Sequence, residues 1–166
     1  MADAIKGNSY ESYPVGIQIG VKLHRFIDSF TDSHEIYRKS KHRLHQKFGH
    51  YSGVIMDIVY DHFLAKNWQQ FSDIPLEQYA DDFYNLLQKE YAILTPKTQN
   101  ALPYMIKTNW LVCYQSLEGL ELILFQNVLI IEDIDFFSDE VLFQTILNDF
   151  ISKNKFIYLT SNKSSG

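Results

Sequence analysis

Residues 19–34 read IGVKLHRFIDSFTDSH, in which apolar residues recur at intervals of three and four. This spacing predicts an amphipathic helix of about four turns that begins near Pro14. A similar apolar repeat over about residues 51–68 predicts a second helix of this kind. We expect the two helices to share one hydrophobic core, to which they contribute Phe26, Ile27, Phe30, Ile58 and Val59.

The same two segments carry acidic residues and histidines at helical spacing. His24 and Asp28 are four residues apart, as are Asp57 and Asp61, so each pair should lie on one face of its helix. Imidazole and carboxylate groups that meet between helices form sites for hard or borderline metal ions. Such an ion lowers the pKa of a bound water and offsets the charge of a phosphate. The spacing therefore favours a metal-dependent hydrolase of phosphate esters.

Helical periodicity continues through most of the chain as far as residue 125. Ser33 is the expected N-cap of a helix that runs to Phe48, and Gly49 should end that helix. Further helices are predicted over residues 76–89, from about residue 96, and over residues 110–125. The expected fold is therefore a mainly α helical bundle.

The pattern changes at residue 127. Residues 128–131, VLII, and residues 156–159, FIYL, are short apolar runs typical of buried strands, and residues 139–152 between them have an amphipathic helical repeat. We therefore expect a helical domain over residues 1–126 and a short strand-helix-strand tail over residues 127–166. Because two strands alone are marginally stable, the tail should pack on the helical body or on a partner chain.

Composition and charge indicate in which cellular compartment the protein works and which kinds of partner it binds. The chain has 166 residues, a net charge of −5 and one cysteine, so no disulfide can form within it. We expect a cytoplasmic protein with no membrane partner, because neither a signal peptide nor an apolar run of membrane-spanning length is evident. Positive charge is concentrated between Lys22 and Lys47. This basic stretch is either a surface that binds an acidic protein or a phosphate, or a solvated helix face without a ligand. Nucleic acid is not expected, because the whole domain is not basic.

Three segments resemble the acyl carrier protein phosphodiesterase family: residues 1–7, MADAIKG; residues 23–34, LHRFIDSFTDSH; and residues 60–65, YDHFLA. Residues 110–119 resemble a later helix of that family, so the resemblance covers about residues 1–125. It implies a helical bundle related to the HD-type metal phosphohydrolases. It also implies hydrolysis of the phosphodiester that joins 4′-phosphopantetheine to a serine of holo acyl carrier protein, with Mn²⁺ or Mg²⁺ as cofactor.

The resemblance further implies a role for particular residues of this chain. The metal ligands it implies are Asp3, His24, Asp28 and Asp61. The catalytic candidates it implies are Asp32, His34, Asp57 and His62. The residues expected to bind phosphate or the acidic carrier protein are Lys6, Arg25, Arg38, Lys41 and Arg43.

The chain departs from the family pattern at both ends. Family members usually begin earlier, with a helix that contains a histidine, and residues 127–162 instead resemble the Walker B and sensor-1 strands of an AAA+ replication-initiator-type ATPase. No Gly-x4-Gly-Lys-Ser/Thr loop occurs in the sequence, so we do not expect ATP binding. Two alternatives to the hydrolase therefore stay open: a non-catalytic helical module that binds carrier protein, and a truncated or chimeric chain without activity.

Overall fold

The structure is a computed structural model that describes residue 5, residues 7–125 and residues 136–153. Within these residues the regular structure is helical and includes no strand, which confirms the mainly α fold. The two predicted strands, residues 128–131 and 156–159, lie outside the described residues. The α-helices of the described part are α1 (Val15–Ser33), α2 (Glu35–Phe48), α3 (Ser52–Lys66), α4 (Leu76–Lys89), α5 (Pro96–Thr108), α6 (Trp110–Cys113), α7 (Leu117–Phe125) and α8 (Phe136–Lys153).

The junction between α1 and α2 differs by one residue from the prediction. His34, not Ser33, caps α2, because its Nδ1 atom accepts a hydrogen bond from the Ile36 N–H at 3.3 Å. The Ser33 hydroxyl instead donates to the Phe30 carbonyl at 3.0 Å within the last turn of α1. Gly49 ends α2 as predicted, with a φ of +52° that favours glycine over any residue with a Cβ atom.

The single helix predicted over residues 110–125 is two helices, α6 and α7. The Ser116 hydroxyl accepts a hydrogen bond from the Gly119 N–H at 3.0 Å, which starts α7 after a break. Gly119 lies so close to the Cys113 carbonyl that an added Cβ atom would overlap it. The turn between the two helices therefore requires glycine at this position.

The main hydrophobic core is built around α3, which is buried on most of its circumference. Met56, Val59 and Phe63 are fully buried there, and Ile58 is almost so, which confirms the core prediction for Ile58 and Val59. Side chains of α2, α7 and α8 complete this core, and α4, α5 and α6 enclose a smaller cluster. No helix among the described residues is both long and apolar enough to cross a membrane.

The core prediction was wrong for Phe26 and Ile27 on α1. Each is 42% exposed, and Val21 is the buried residue of that helix. Among the described residues, α1 packs mainly on α2 and on the short turn at residues 9–12, and each residue of its apolar stripe stays more than one third exposed. Phe30 packs against the edge of the core. The exposed stripe consists of Val15, Ile19, Leu23, Phe26 and Ile27.

Helix α8 is part of the same core, as the amphipathic pattern over residues 139–152 predicts. The Phe143 ring lies edge-on to Tyr60, with 5.2 Å between ring centroids, and 5.8 Å from the Phe63 ring. Glu140 accepts hydrogen bonds from Lys66 Nζ at 2.7 Å and Asn67 Nδ2 at 3.0 Å at the end of α3. The helix of the expected tail therefore packs on the helical body.

We expect Phe143→Ala to lower the free energy of unfolding by about 3–5 kcal/mol, since it removes a buried aromatic ring and leaves a cavity. Val141→Ala on the same helix is the matched control, because Val141 is 55% exposed and its loss should change stability by less than about 0.5 kcal/mol. Urea unfolding followed by circular dichroism measures both. Equal stability of the two variants would contradict the packing of α8 on α3.

Candidate functional site

Asp57 and Asp61 lie one turn apart on α3, as their spacing predicts. The negative charges of Asp32 and Asp28 on α1 act on Asp57, and the charge of Asp57 acts on Asp61. Two helices thus bring three other carboxyl groups into electrostatic range of Asp57. We call Asp28, Asp32, Asp57 and Asp61 the acidic cluster.

The environment of the cluster favours protonated carboxyl groups. Asp57 and Asp61 are exposed to solvent by their accessible area, so a ligand can reach them. Nearby protein atoms nevertheless reduce the hydration of both carboxyl groups. This loss of hydration, with the charge of Asp57, raises the pKa of Asp61 to about 7. Loss of hydration also raises the pKa of Asp57, and the negative charges of Asp32 and Asp28 add smaller increases. A carboxyl group such as that of Asp61, with a pKa of about 7 in an open site, is suited to acid–base chemistry.

His24 and Asp28 contact each other on the exposed side of α1. The His24 Nδ1 atom lies 2.7 Å from Asp28 Oδ2, and the two side chains are 39% and 52% exposed. The predicted common face of this pair is therefore confirmed. The carboxylate fixes the orientation of the imidazole, an arrangement that many metal-binding histidines share.

The chemistry of these side chains fits a hard divalent cation, but their geometry is incomplete. Carboxyl groups and an oriented imidazole are the ligand types that Mn²⁺ and Mg²⁺ accept. In the part of the chain that the structure describes, no three such groups meet closely enough to hold one ion. Asp3, the fourth implied ligand, lies outside the described residues. The four-residue metal centre therefore stays a prediction.

The two other histidines named as catalytic candidates make contacts that support the fold. His62 is 3% exposed, and its Nδ1 atom lies 2.7 Å from the Tyr114 carbonyl oxygen, which joins α3 to the end of α6. Burial lowers the pKa of His62. His34 caps α2, and its Nε2 atom lies 3.4 Å from Asp149 on α8. The structure therefore shows both rings in structural contacts, whereas Asp32 and Asp57 belong to the acidic cluster.

The basic residues expected to bind substrate do not share one surface. Arg25 donates from Nη2 to the Ile5 carbonyl at 2.7 Å and lies over the Tyr10 ring, so it ties these two residues to α1. Arg38 and Arg43 are five residues apart on α2 and thus about 140° apart around the helix. Lys41 lies near the acidic cluster, since its positive charge offsets part of the rise in the pKa of Asp57. Lys6 lies outside the described residues.

A family model described as acyl carrier protein phosphodiesterase matches residues 1–129. The chain belongs to the acyl carrier protein phosphodiesterase family. The protein of that name from Pectobacterium atrosepticum is 31% identical over 118 residues, which are 70% of this chain and 61% of the relative. Two proteins of that name from Escherichia coli are 27% and 28% identical over 125 and 130 residues, which are 75% and 78% of this chain and 65% of each relative.

The chain thus spans 61–65% of the length of these acyl carrier protein phosphodiesterases. The match covers α1 to α7, including every residue of the acidic cluster. No solved structure matches the chain.

Sequence reasoning did not select two tyrosines that approach the acidic cluster of this phosphodiesterase relative. The Tyr37 hydroxyl donates to Asp57 Oδ1 at 2.7 Å. Burial, and next the charge of Asp61, raise the pKa of the Tyr114 hydroxyl well above its usual range. Tyrosine at a helical position is usually read as core, so only the packing of α2 and α6 on α3 reveals these contacts.

Proposed function

We propose that the chain hydrolyses the phosphodiester between 4′-phosphopantetheine and a serine of holo acyl carrier protein. The observation that carries this proposal is Asp61, a solvent-accessible carboxyl group with a pKa of about 7 and no hydrogen-bond or ion-pair partner among the described residues. A carboxyl group without a partner in a poorly hydrated site destabilises the fold, and such groups concentrate where function requires them. Membership of the family supplies the substrate class.

The charges around the acidic cluster are arranged for an anionic substrate. Lys41 lies on the side of α2 that faces the cluster, and Arg38 is exposed one turn earlier on the same helix. Positive groups beside the carboxyl groups attract a phosphodiester and an acidic carrier protein, which the carboxylates alone would repel. We infer that the phosphate enters along the Arg38 and Lys41 side of α2.

A divalent cation belongs to the proposal because the cluster has more negative than positive charge. His24, Asp28 and Asp61 are the described residues proposed as its ligands; in this structure they do not meet closely enough to hold one ion, and Asp3 lies outside the described residues. The cation would supply a water of lowered pKa and offset the charge of the phosphate. Mn²⁺ and Mg²⁺ are the ions proposed.

The reaction requires one bond to form and one to break. The oxygen of a water molecule attacks phosphorus, the bond from phosphorus to the serine oxygen breaks, and the phosphate stays on pantetheine. Asp57 is the carboxylate suited to take the proton from the attacking water, since its Oδ2 atom has no hydrogen-bond partner among the described residues. The departing serine oxygen takes up a proton from solvent and Asp57 releases its own to solvent, which leaves apo carrier protein and restores the carboxylate.

We expect the chain, incubated with holo acyl carrier protein and Mn²⁺, to convert it to the apo form. Mass spectrometry detects the loss of phosphopantetheine from the carrier protein and its appearance as a free product. The same mixture with EDTA in place of Mn²⁺ should show no conversion, because the proposed cation would be removed. Salt-sensitive binding of carrier protein without release of product would contradict hydrolysis and indicate the non-catalytic binding module.

A further inference from the structure

Tyr37 is among the most buried residues on α2, yet its hydroxyl reaches a residue of the candidate site. The side chain is 2% exposed, and the hydroxyl donates to Asp57 Oδ1 at 2.7 Å. This bond joins α2 to α3 across residues that are twenty apart in sequence. A bond of this length from a buried phenol to a carboxylate is a strong hydrogen bond that fixes both partners.

Aromatic packing holds the Tyr37 ring in place. It lies edge-on to the Tyr60 ring, with 5.6 Å between centroids, and Tyr60 in turn contacts Phe143 on α8. Burial and the hydrogen bond to Asp57 raise the pKa of the Tyr37 hydroxyl far above its usual range, so it keeps its proton and stays a donor. The position of the hydroxyl is therefore set by the core, and α8 contributes to that core.

Lys41 completes the arrangement one turn further along α2. Its ammonium group lies over the Tyr37 ring, 5.8 Å from the centroid, and its charge acts on Asp57. Gly53, one turn before Asp57 on α3, provides the room: an added Cβ atom there would lie 3.3 Å from Lys41 Cε and Nζ. Two residues of α2 thus act on the carboxyl group of Asp57: Tyr37 by a hydrogen bond from the core, and Lys41 by its positive charge.

We propose that Tyr37 is a positioning residue that holds Asp57 by one oxygen and leaves Oδ2 for the attacking water. The inference rests on the proposed hydrolysis, which it deepens by naming what orients the proton acceptor. Tyr37 acts through Asp57 and touches neither substrate nor the reacting water. A carboxyl group held at one oxygen loses less rotational freedom on reaching the transition state than one that rotates freely.

The test compares Tyr37→Phe with Tyr84→Phe. Tyr84 is 5% exposed, and its hydroxyl accepts a hydrogen bond from the Leu111 N–H at 2.9 Å in the smaller cluster. Each variant therefore removes one hydroxyl and one hydrogen bond from a buried ring. We expect Tyr37→Phe to lower kcat by about 10–100-fold with little change in KM for carrier protein, and Tyr84→Phe to leave kcat unchanged.

Binding of Mn²⁺ alone, measured by isothermal titration calorimetry, separates this inference from the proposed function. A misplaced Asp57 next to Asp61 should weaken Mn²⁺ binding by about tenfold in Tyr37→Phe and not in Tyr84→Phe. The unmodified chain could bind Mn²⁺ without turning over carrier protein, which would contradict the proposed hydrolysis. Weaker Mn²⁺ binding by Tyr37→Phe would in that case still support the positioning of Asp57 by Tyr37. The inference would be overturned by wild-type kcat and Mn²⁺ affinity in Tyr37→Phe, or by equal losses in both variants. It would also be overturned if the unmodified chain neither bound Mn²⁺ nor turned over carrier protein.

Discussion

Asp61→Asn is expected to lower turnover of holo carrier protein by about 10²–10⁴-fold and, at neutral pH, to raise the melting temperature. Both effects have one cause. The carboxyl group of Asp61 is reachable by a ligand but poorly hydrated, and it lies within range of the charge of Asp57. The poor hydration that makes this carboxyl group reactive also lowers the stability of the folded state.

The stability effect has a definite pH dependence. Asp61 has a pKa of about 7 in the folded chain, against an ordinary aspartate value of 3.8, so the folded state retains a proton that the unfolded state releases between these values. Stability of the unmodified chain should therefore fall as pH rises through this window. Asparagine does not titrate, so the difference in melting temperature should be absent near pH 4 and largest above pH 7.

Melting curves at several pH values and mass-spectrometric turnover assays measure the two effects. Asp73→Asn, in the loop before α4, is the control, because Asp73 is exposed and makes none of the contacts that surround Asp61. It should change neither turnover nor the pH dependence of stability. Retained turnover in Asp61→Asn would remove Asp61 from the site, and an unchanged or lower melting temperature above pH 7 would show that its carboxyl group is well solvated.

The second large effect concerns docking of the carrier protein. We expect the double variant Arg38→Glu with Arg43→Glu to raise KM for holo carrier protein by about 100-fold with kcat nearly unchanged, because like charges at an interface cost several kcal/mol. The KM of the unmodified chain should rise with salt, and that of the double variant should respond much less.

The single variants decide which side of α2 meets the carrier protein. Arg38 lies about 60° around the helix from Lys41, whereas Arg43 lies on the far side and reaches the Ser40 hydroxyl at 3.5 Å. Arg38→Glu should therefore account for most of the rise in KM, and Arg43→Glu for little of it. Steady-state kinetics at low ionic strength measures the difference. A larger effect of Arg43→Glu would place the docking surface away from the acidic cluster.

Local sequence patterns were sufficient for the parts of this protein that depend on neighbours along the chain. Helical spacing predicted the contact of His24 with Asp28 and the shared face of Asp57 and Asp61. Gly49 ended α2 as expected because its backbone conformation is a local property. The motif resemblance also identified the family, since motifs lie in the sequence itself.

Predictions from the sequence were wrong where the burial of a side chain depends on residues distant in sequence. Phe26 and Ile27 have the spacing of a core face, but the described residues that pack on α1 leave that face open. His62 has the spacing of a site residue, but it turns into the interior to meet the Tyr114 carbonyl. Periodicity specifies which side chains share a face, and it does not specify what, if anything, covers that face.

By itself, the sequence determined a mainly α chain of the acyl carrier protein phosphodiesterase family with acidic and histidine side chains at helical spacing. Only the tertiary structure decided that the Tyr37 hydroxyl reaches Asp57, that Lys41 passes over Gly53, and that α8 supports this arrangement through Phe143. Helix formation is governed by residues a few positions apart, whereas these contacts need side chains from different helices to be packed together. The chemistry proposed for Asp57 and Asp61 depends on that packing, because it is the surrounding protein that raises their pKa values.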